Sequence, residues 1–379
     1  MAPIADSTSA DGWIKDGGPF AVRHVCLIAP SPPPYGGMAL QAKQLEQRLV
    51  QDGNSVTFFP SNFLFPKWMA ALERIPVIRT LMRAAMIWIL LWRRIRNVEV
   101  VHVLASSWLY FFVVVCPAVI VGRLRGKRIV LNYRGGEAQA FLRSYKWAAK
   151  PVFRWAHVVT TPSEFLAGVI RSSLGIPVSI VPNILDTKRF QYRERKVLQP
   201  RMIVTRHLEE IYDVESVLRA FRILQQRHSD AVLWIAGTGS QAPRLRQLVE
   251  ELELKNVSFL GHVPHEQLPA LYDQCDILVN ASRVDNFPGS LVEASAAGLV
   301  VVSTWAGGIP FLYQDGASAM LVAPGDWRGL AGAVERVLDD PQLAASLTAR
   351  AKAVAEGCDW RHVRKSLYAT YDGAEKGPR

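Results

Sequence analysis

The feature that most constrains this chain is a recurring unit of short apolar run, turn and helical segment. In the first half the runs are VRHVCLIAP (22–30), SVTFFP (55–60), VEVVHVLA (98–105), KRIVLNY (127–133) and HVVTTP (157–162). They are rich in Val and Ile and apolar at successive rather than alternate positions, so both faces of each strand must be covered. Strands of that kind separated by helices belong to a doubly wound parallel sheet. The second half repeats the pattern more cleanly, with MIVT, AVLWIAG, VSFLG, DILVNA and LVVVST as strands and SQAPRLRQLVEEL, HEQLPALYDQ and SLVEASAAG among the helices.

At 379 residues the chain is longer than one hydrophobic core usually serves, since cores stop growing at roughly 250–300 residues. The expected organisation is a tail at 1–20, a first Rossmann-like domain at 21–185, a second at 186–356, and a terminal helical segment at 357–379. The crossover is SIVPNILDTKRFQYRERKVLQPRMIVTR: a strand, a charged connector and a fresh strand. Two such domains would hold a ligand in the cleft between them.

A content of 50% hydrophobic and 20% charged residues excludes general disorder. The net charge of +11 calls for an anionic partner. Arginines and lysines crowd the first half, from Arg74 and Arg79 to Arg128, between long apolar runs. That distribution suits a membrane surface and not a nucleic-acid groove. RTLMRAAMIWILLWRRIR (79–96) has two open readings: a helix lying in an anionic membrane interface, or a core helix with a solvated basic end. Val100 to Gly122 carries no charged residue and reaches membrane-spanning length. The polar break ASS and Pro117 favour a buried strand followed by a buried helix capped by Ser106 or Ser107. The four cysteines, Cys26, Cys116, Cys275 and Cys358, have no metal-ligand spacing and read as buried thiols of a reducing compartment. No secretory signal opens the chain, so the expected location is cytoplasmic, with peripheral attachment to the inner face of the membrane.

DNFPGSLVEASAAG (285–298) carries the chemistry. Ser290 and Glu293 have the spacing of a helix capping box, and Gly298 suits a helix stop. The same helix would begin beyond the carboxyl end of the strand DILVNA, where open α/β sheets bind ligands. The amides of Phe287, Gly289 and Ser290 would then face a phosphate, leaving Asp285 to accept from hydroxyls.

This stretch resembles the signature of the family 4 glycosyltransferases of GT-B fold, an acidic residue and a Glu eight positions apart in the form E-x-F-G/P-x-x-x-x-E-A. Asp285, Phe287, Pro288, Glu293 and Ala294 match it, with Asp in place of the first Glu. GTGSQAPRLRQLVEELELKNVSFLGHVPHEQLPALYDQCDILVNAS, STWAGGIPFLYQDGASAMLVAPGD, VPNILDTKRF and DWRHVRKSLYATY are similar to further segments of the family in the same order. The resemblance implies two Rossmann-like domains, a nucleotide diphosphosugar donor on the second, and transfer of a hexosyl unit with retention onto a lipid-linked or polysaccharide acceptor. It also implies that Asp285 with Asn286 holds the donor sugar, Glu293 the ribose, and His262 and Val263 the base. Gly36, Gly37 and Gly237 would let backbone approach the donor, and the final helix would return to the first domain.

Two departures stand out. The family's Arg is present as Arg206, but its Lys position holds Tyr212, and its first-domain His falls on Arg134. Arg134 is open to two readings, a replacement cation beside the leaving diphosphate or a partner of Glu137. No Asp-x-Asp or His/Cys cluster suggests a metal ion or another cofactor. The rival reading is a GT-B scaffold whose turnover was lost with these changes. GTGS lacks the third glycine of a dinucleotide-binding fingerprint, which disfavours an oxidoreductase.

Overall fold

A computed structural model describes residues 23–32, 37–63 and 76–373. The expected tail at 1–20, together with Gly36, Arg74 and the side chain of Arg79, lies outside the described residues.

The first half comprises β1 (His24–Ala29), α1 (Gly37–Gln51), β2 (Ser55–Pro60), α2 (Pro76–Arg94), β3 (Val100–Ala105), α3 (Trp108–Tyr110), α4 (Cys116–Leu124), β4 (Arg128–Tyr133), α5 (Ala138–Trp155), β5 (Val158–Thr161), α6 (Glu164–Leu174) and β6 (Ser179–Ile180). The strands form one parallel sheet in the order β2-β1-β3-β4-β5-β6. Alternate residues of the apolar runs serve opposite faces. Cys26 and Ile28 pack with Ile87 and Leu91 of α2, Ala118 of α4 and Phe141 of α5. Val25, Leu27 and Ala29 pack with Leu45 and Leu49 of α1.

The second half comprises β7 (Arg201–Thr205), α7 (Val214–Arg227), β8 (Val232–Ala236), α8 (Ala242–Glu251), β9 (Val257–Gly261), α9 (Leu268–Asp273), β10 (Ile277–Val279), α10 (Gly289–Ala296), β11 (Val300–Thr304), α11 (Ile309–Leu312), β12 (Met320–Val322), α12 (Trp327–Asp339), α13 (Pro341–Gly357) and α14 (Trp360–Asp372). Its parallel sheet runs β12-β11-β10-β7-β8-β9. Met202 and Val204 face α7, α8 and α12, whereas Ile203 faces α9, α10 and α13. Two six-stranded sheets, each buried on both faces, make this a two-domain GT-B architecture.

The last helix belongs to the first sheet. Trp360, Val363, Leu367, Tyr368 and Tyr371 of α14 share a core with β1, β3 and β4. Polar contacts fix their register. Tyr371 Oη lies 2.7 Å from His102 Nδ1, and Tyr368 Oη donates to Asp52 Oδ2 at 3.2 Å. Burial first, and then the charge of Arg134, lower the His102 imidazole to about 3, so it bridges Tyr371 and Asn132 in its neutral form.

Three expectations need revision or decision. No helix among the described residues is long and apolar enough to cross a membrane, and the 100–122 run is β3 followed by α3, a π-helical turn (Phe111–Val115) and α4. Ser107 stands at the N-cap of α3 but caps nothing, because its hydroxyl is paired with Tyr133 Oη at 2.8 Å. The α2 stretch buries Ile87, Leu91 and Ile95 in the core while exposing Trp88, Ile89 and Trp92, so one face serves the core and the aromatic outer face is compatible with either reading.

The crossover is also not a solvated connector throughout. The Arg195 side chain is 1% exposed, pairs with Asp276 at 2.9 Å, and donates to the carbonyls of Cys275, Arg193, Ala297 and Tyr272. It thereby ties the starts of β10 and the end of α10 to the chain leaving the first domain. Arg195→Met would strand those acceptors and a buried carboxylate. The expected cost is about 3–5 kcal/mol, read as a lowered urea midpoint for the second domain.

Candidate active site

In each sheet the strand order reverses beside the first strand of its domain, and ligands of open α/β folds bind outside the carboxyl ends of strands at that point. In the second domain the reversal lies between β7 and β10. Arg206 directly follows β7, and Asp285 lies on the loop between β10 and α10. Their side chains meet: Arg206 Nη2 donates to Asp285 Oδ2 at 2.5 Å, and Arg206 Nε to Asn280 Oδ1 at 3.0 Å. The pair is largely buried, with 13% and 9% of the side chains exposed. Asp285 Oδ1 also accepts from the Phe287 amide at 3.1 Å.

Tyr212 ends a short 3-10 turn (Glu210–Tyr212), and the Arg206 guanidinium lies over its ring, 5.3 Å from the centroid. The ring substitutes a face for the family's second charge. It holds the guanidinium by a cation–π contact and adds no cation of its own.

The backbone around the pair is set by glycines. A Cβ at Gly237 would come within 1.8 Å of the Arg206 carbonyl oxygen, so the loop after β8 can approach β7 only without a side chain. Gly308 donates its amide to the Asp285 carbonyl at 2.6 Å, and a Cβ there would meet the Asn286 carbonyl at 2.2 Å. The Gly307–Gly308 turn after β11 therefore clamps the acidic loop from the other side. Its sequence sign was the Gly pair in STWAGGIP, which carries no chemistry by itself.

The capping-box reading of Ser290 and Glu293 does not hold. Pro288 occupies the N-cap of α10, the Ser290 hydroxyl has no hydrogen-bond partner, and the Glu293 carboxylate turns to α9 and the loop before it. Glu293 Oε1 lies 2.9 Å from His265 Nε2, and Glu293 Oε2 accepts from Tyr272 Oη at 3.3 Å. Nor do all three amides of the expected anion site remain open, since those of Phe287 and Gly289 are bonded to Asp285 and to the Phe287 carbonyl. His262 is exposed and Val263 half-buried, just past Gly261, which takes a left-handed φ of 68°. His265, Tyr272 and Asn280 were not singled out by the sequence, because nothing in HVPHEQ or ILVN distinguishes an orienting group from a surface one.

From the first domain, Arg134 follows β4 and donates through Nη1 to Asn183 Oδ1. Its expected alternative partner, Glu137, instead accepts from Trp108 Nε1 at 2.5 Å. Burial lowers the Arg134 guanidinium to about 10, which still leaves it cationic at neutral pH. The next residue, Gly135, accepts from Asn286 Nδ2 at 3.3 Å, so the seam between domains runs between the Arg134 loop and the acidic loop. Arg134 Nε, Asn286 Oδ1 and Ser290 Oγ are all buried without a hydrogen-bond partner among the described residues. Native interiors rarely leave such groups unpaired, and these three fall on the two loops and the first turn of α10, which makes the seam a candidate ligand site. Gly37 opens α1 at the corresponding switch point of the first sheet.

Glu293 raises the His265 pKa above the ordinary histidine value, chiefly through the hydrogen bond. A raised folded-state value contributes stability that is complete below the unfolded pKa and is lost as pH rises through the folded one. Wild type should therefore lose melting temperature from pH 6 to 8 relative to His265→Gln. A pH dependence identical in the two proteins would refute the pairing.

Two family models match the chain in succession: Glycosyltransferase Family 4 over residues 35–189 and Glycosyl transferases group 1 over 187–354. A glycogen synthase of Mycobacterium tuberculosis is 29% identical over 303 residues, covering 74% of this chain and 70% of that protein. A GDP-mannose-dependent alpha-(1-6)-phosphatidylinositol monomannoside mannosyltransferase of Mycolicibacterium smegmatis is 27% identical over 271 residues, with coverage of 65% and 70%. Among solved structures, Anabaena HepE in complex with UDP superposes with a TM-score of 0.71 over 93% of this chain and 100% of that one, at 17% identity. With the fold, the order of motifs and these matches in agreement, the chain belongs to the family 4, group 1 type of GT-B glycosyltransferases and is a glycosyltransferase enzyme.

Proposed function

We propose that the enzyme moves a hexosyl unit, with retention of configuration, from a nucleotide diphosphosugar to a lipid-linked or polysaccharide acceptor. The observation that carries this reading is the Arg206–Asp285 pair at the switch point of the second sheet, facing the unpaired Arg134 Nε and Asn286 Oδ1 across the seam. Each partner holds the other in place until a donor arrives. The diphosphate then takes Arg206, and the sugar hydroxyls take Asp285. Glu293, oriented by His265 and Tyr272, receives the ribose hydroxyls, and the backbone at His262 and Val263 lies beside the base.

In this mechanism the bond between the anomeric carbon and the diphosphate oxygen breaks, and the electron pair leaves with the diphosphate. Arg206 and Arg134 neutralise that charge, which is ordinarily the largest catalytic contribution. The acceptor hydroxyl attacks from the face the diphosphate leaves, and its proton passes to the departing phosphate oxygen. No protein base is required. Closing the seam excludes water and so protects the donor from hydrolysis.

Several relatives support the donor and acceptor classes. HepE structures contain UDP or UDP-glucose, and relatives include a phosphatidylinositol mannoside mannosyltransferase and a Salmonella typhimurium putative colanic acid biosynthesis glycosyltransferase. The rival of a turnover-dead scaffold is opposed by the intact Arg206–Asp285 pair and by the buried cation at Arg134.

A thermal-shift screen of nucleoside diphosphates and nucleotide sugars should find one that stabilises wild type and fails to stabilise Asp285→Ala and Glu293→Ala. Equal stabilisation of all three would place the donor elsewhere. Because Tyr212 acts through its ring, Tyr212→Phe should keep kcat within about twofold, while Tyr212→Ala should lower it roughly tenfold. If the two substitutions cost the same, the hydroxyl rather than the ring is the working group.

A further inference from the structure

One face of α5 is strongly unbalanced in charge. Its 18 residues contain Arg143, Lys146, Lys150 and Arg154 and no Asp or Glu. None of the four cations has an ion pair or hydrogen bond among the described residues, in contrast to most arginines of the second domain. Spacings of three and four place them on one side of the helix, together with Trp147, 78% exposed, and Trp155, 47% exposed. The helix kinks at Tyr145 and carries Pro151, and a shallow groove of about 630 Å³ lies along this face, lined by these cations and tryptophans.

Exposed tryptophan is expensive in water, and four unpaired cations around it repel one another. A partner that is anionic at its surface and apolar just beneath it relieves both costs. A folded acidic protein would be expected to bring carboxylates in fixed positions, whereas the cations here form a row without individual partners. The neighbouring acid, Glu137, is turned to Trp108 Nε1 and does not neutralise the row. Leu109 of α3 is 61% exposed, and Trp108 packs edge-on to Tyr145 of α5, so the apolar surface continues toward the seam.

We propose that the α5 face docks on an anionic lipid bilayer, with Trp147 and Trp155 in the headgroup region and the four cations among lipid phosphates. This surface is distinct from α2, which the sequence nominated and where Arg125 of the neighbouring turn already covers the Trp92 ring at 3.9 Å and bonds its carbonyl. The orientation has a consequence for the acceptor. The start of α5 lies two residues beyond Gly136, which adjoins Asn286, so docking sets the seam at roughly 8–26 Å along the helix from the docked side chains. A lipid-linked acceptor would then enter the seam from the bilayer, a conclusion that rests on the function proposed above, whereas the docking does not.

The test is co-sedimentation of the full chain with vesicles of pure phosphatidylcholine and with vesicles containing 30% phosphatidylglycerol, a composition on the order of that used to mimic anionic membranes. Wild type should bind only the anionic vesicles. Arg143→Gln/Lys146→Gln/Lys150→Gln/Arg154→Gln should weaken binding roughly tenfold or more, and 0.5 M salt, about enough to screen surface charges, should do the same. Trp147→Ala/Trp155→Ala should weaken it at either salt concentration. All variants are judged only after their thermal response to the best nucleotide matches wild type, which keeps folding and the donor site separate from docking. Equal binding to neutral vesicles, unchanged binding by the quadruple variant, or no vesicle binding alongside retention on an acidic polysaccharide would each overturn the proposal. If donor response is also absent from wild type, the functional reading fails independently of the docking result.

Discussion

A parallel sheet has no face that tolerates water when its strands are apolar at successive positions, and that constraint organises the whole molecule. In the first domain it cannot be met by the domain's own helices. α2, α4, α5 and α6 cover one face, but α1 covers only part of the other. The remaining surface of β3 and β4 is closed by α14, which arrives from the far end of the chain and locks on through Tyr368, Tyr371 and the neutral His102. The first sheet is thereby completed only by the last helix of the chain, and the two halves are joined by two covalent crossings rather than one.

That arrangement places the candidate site. Both sheets reverse order beside their first strand, and the two reversal points face the same seam. What the second domain offers there is an internally satisfied ion pair, Arg206 with Asp285, gripped by glycine-only backbone approaches at Gly237 and Gly308. What the first domain offers is a buried cation with an unfilled donor. An ion pair that is complete by itself is stable without ligand, yet each member is the type of group a diphosphosugar needs. In the function proposed, Tyr212 at the position of the family's lysine leaves Arg206 without a second cation beside it, which gives Arg134 greater weight.

Charge is distributed by purpose across the two domains. In the second domain Arg195, Arg206 and Arg283 have acidic partners, and Arg195 acts as an internal brace. On α5 of the first domain the cations have none among the described residues. The net charge of +11 is therefore partly a surface property of this helix, where it combines with exposed tryptophan.

The sequence by itself determined the two parallel sheets, because apolar runs of strand length separated by helical segments admit few other solutions, and it located the acidic loop because its spacing recurs in a family. It could not determine which backbone groups that loop would use. Ser290 and Glu293 have the right spacing for a capping box, yet Pro288 takes the cap and Glu293 finds His265 and Tyr272 from a different helix and loop. Ser107 was diverted in the same way by Tyr133, a strand away. Local spacing fixes which contacts are available to a side chain; burial among distant elements decides which is strongest, and that competition exists only in the folded chain. The pairing of Arg134 with Asn183, the brace at Arg195 and the bare face of α5 are all of this second kind.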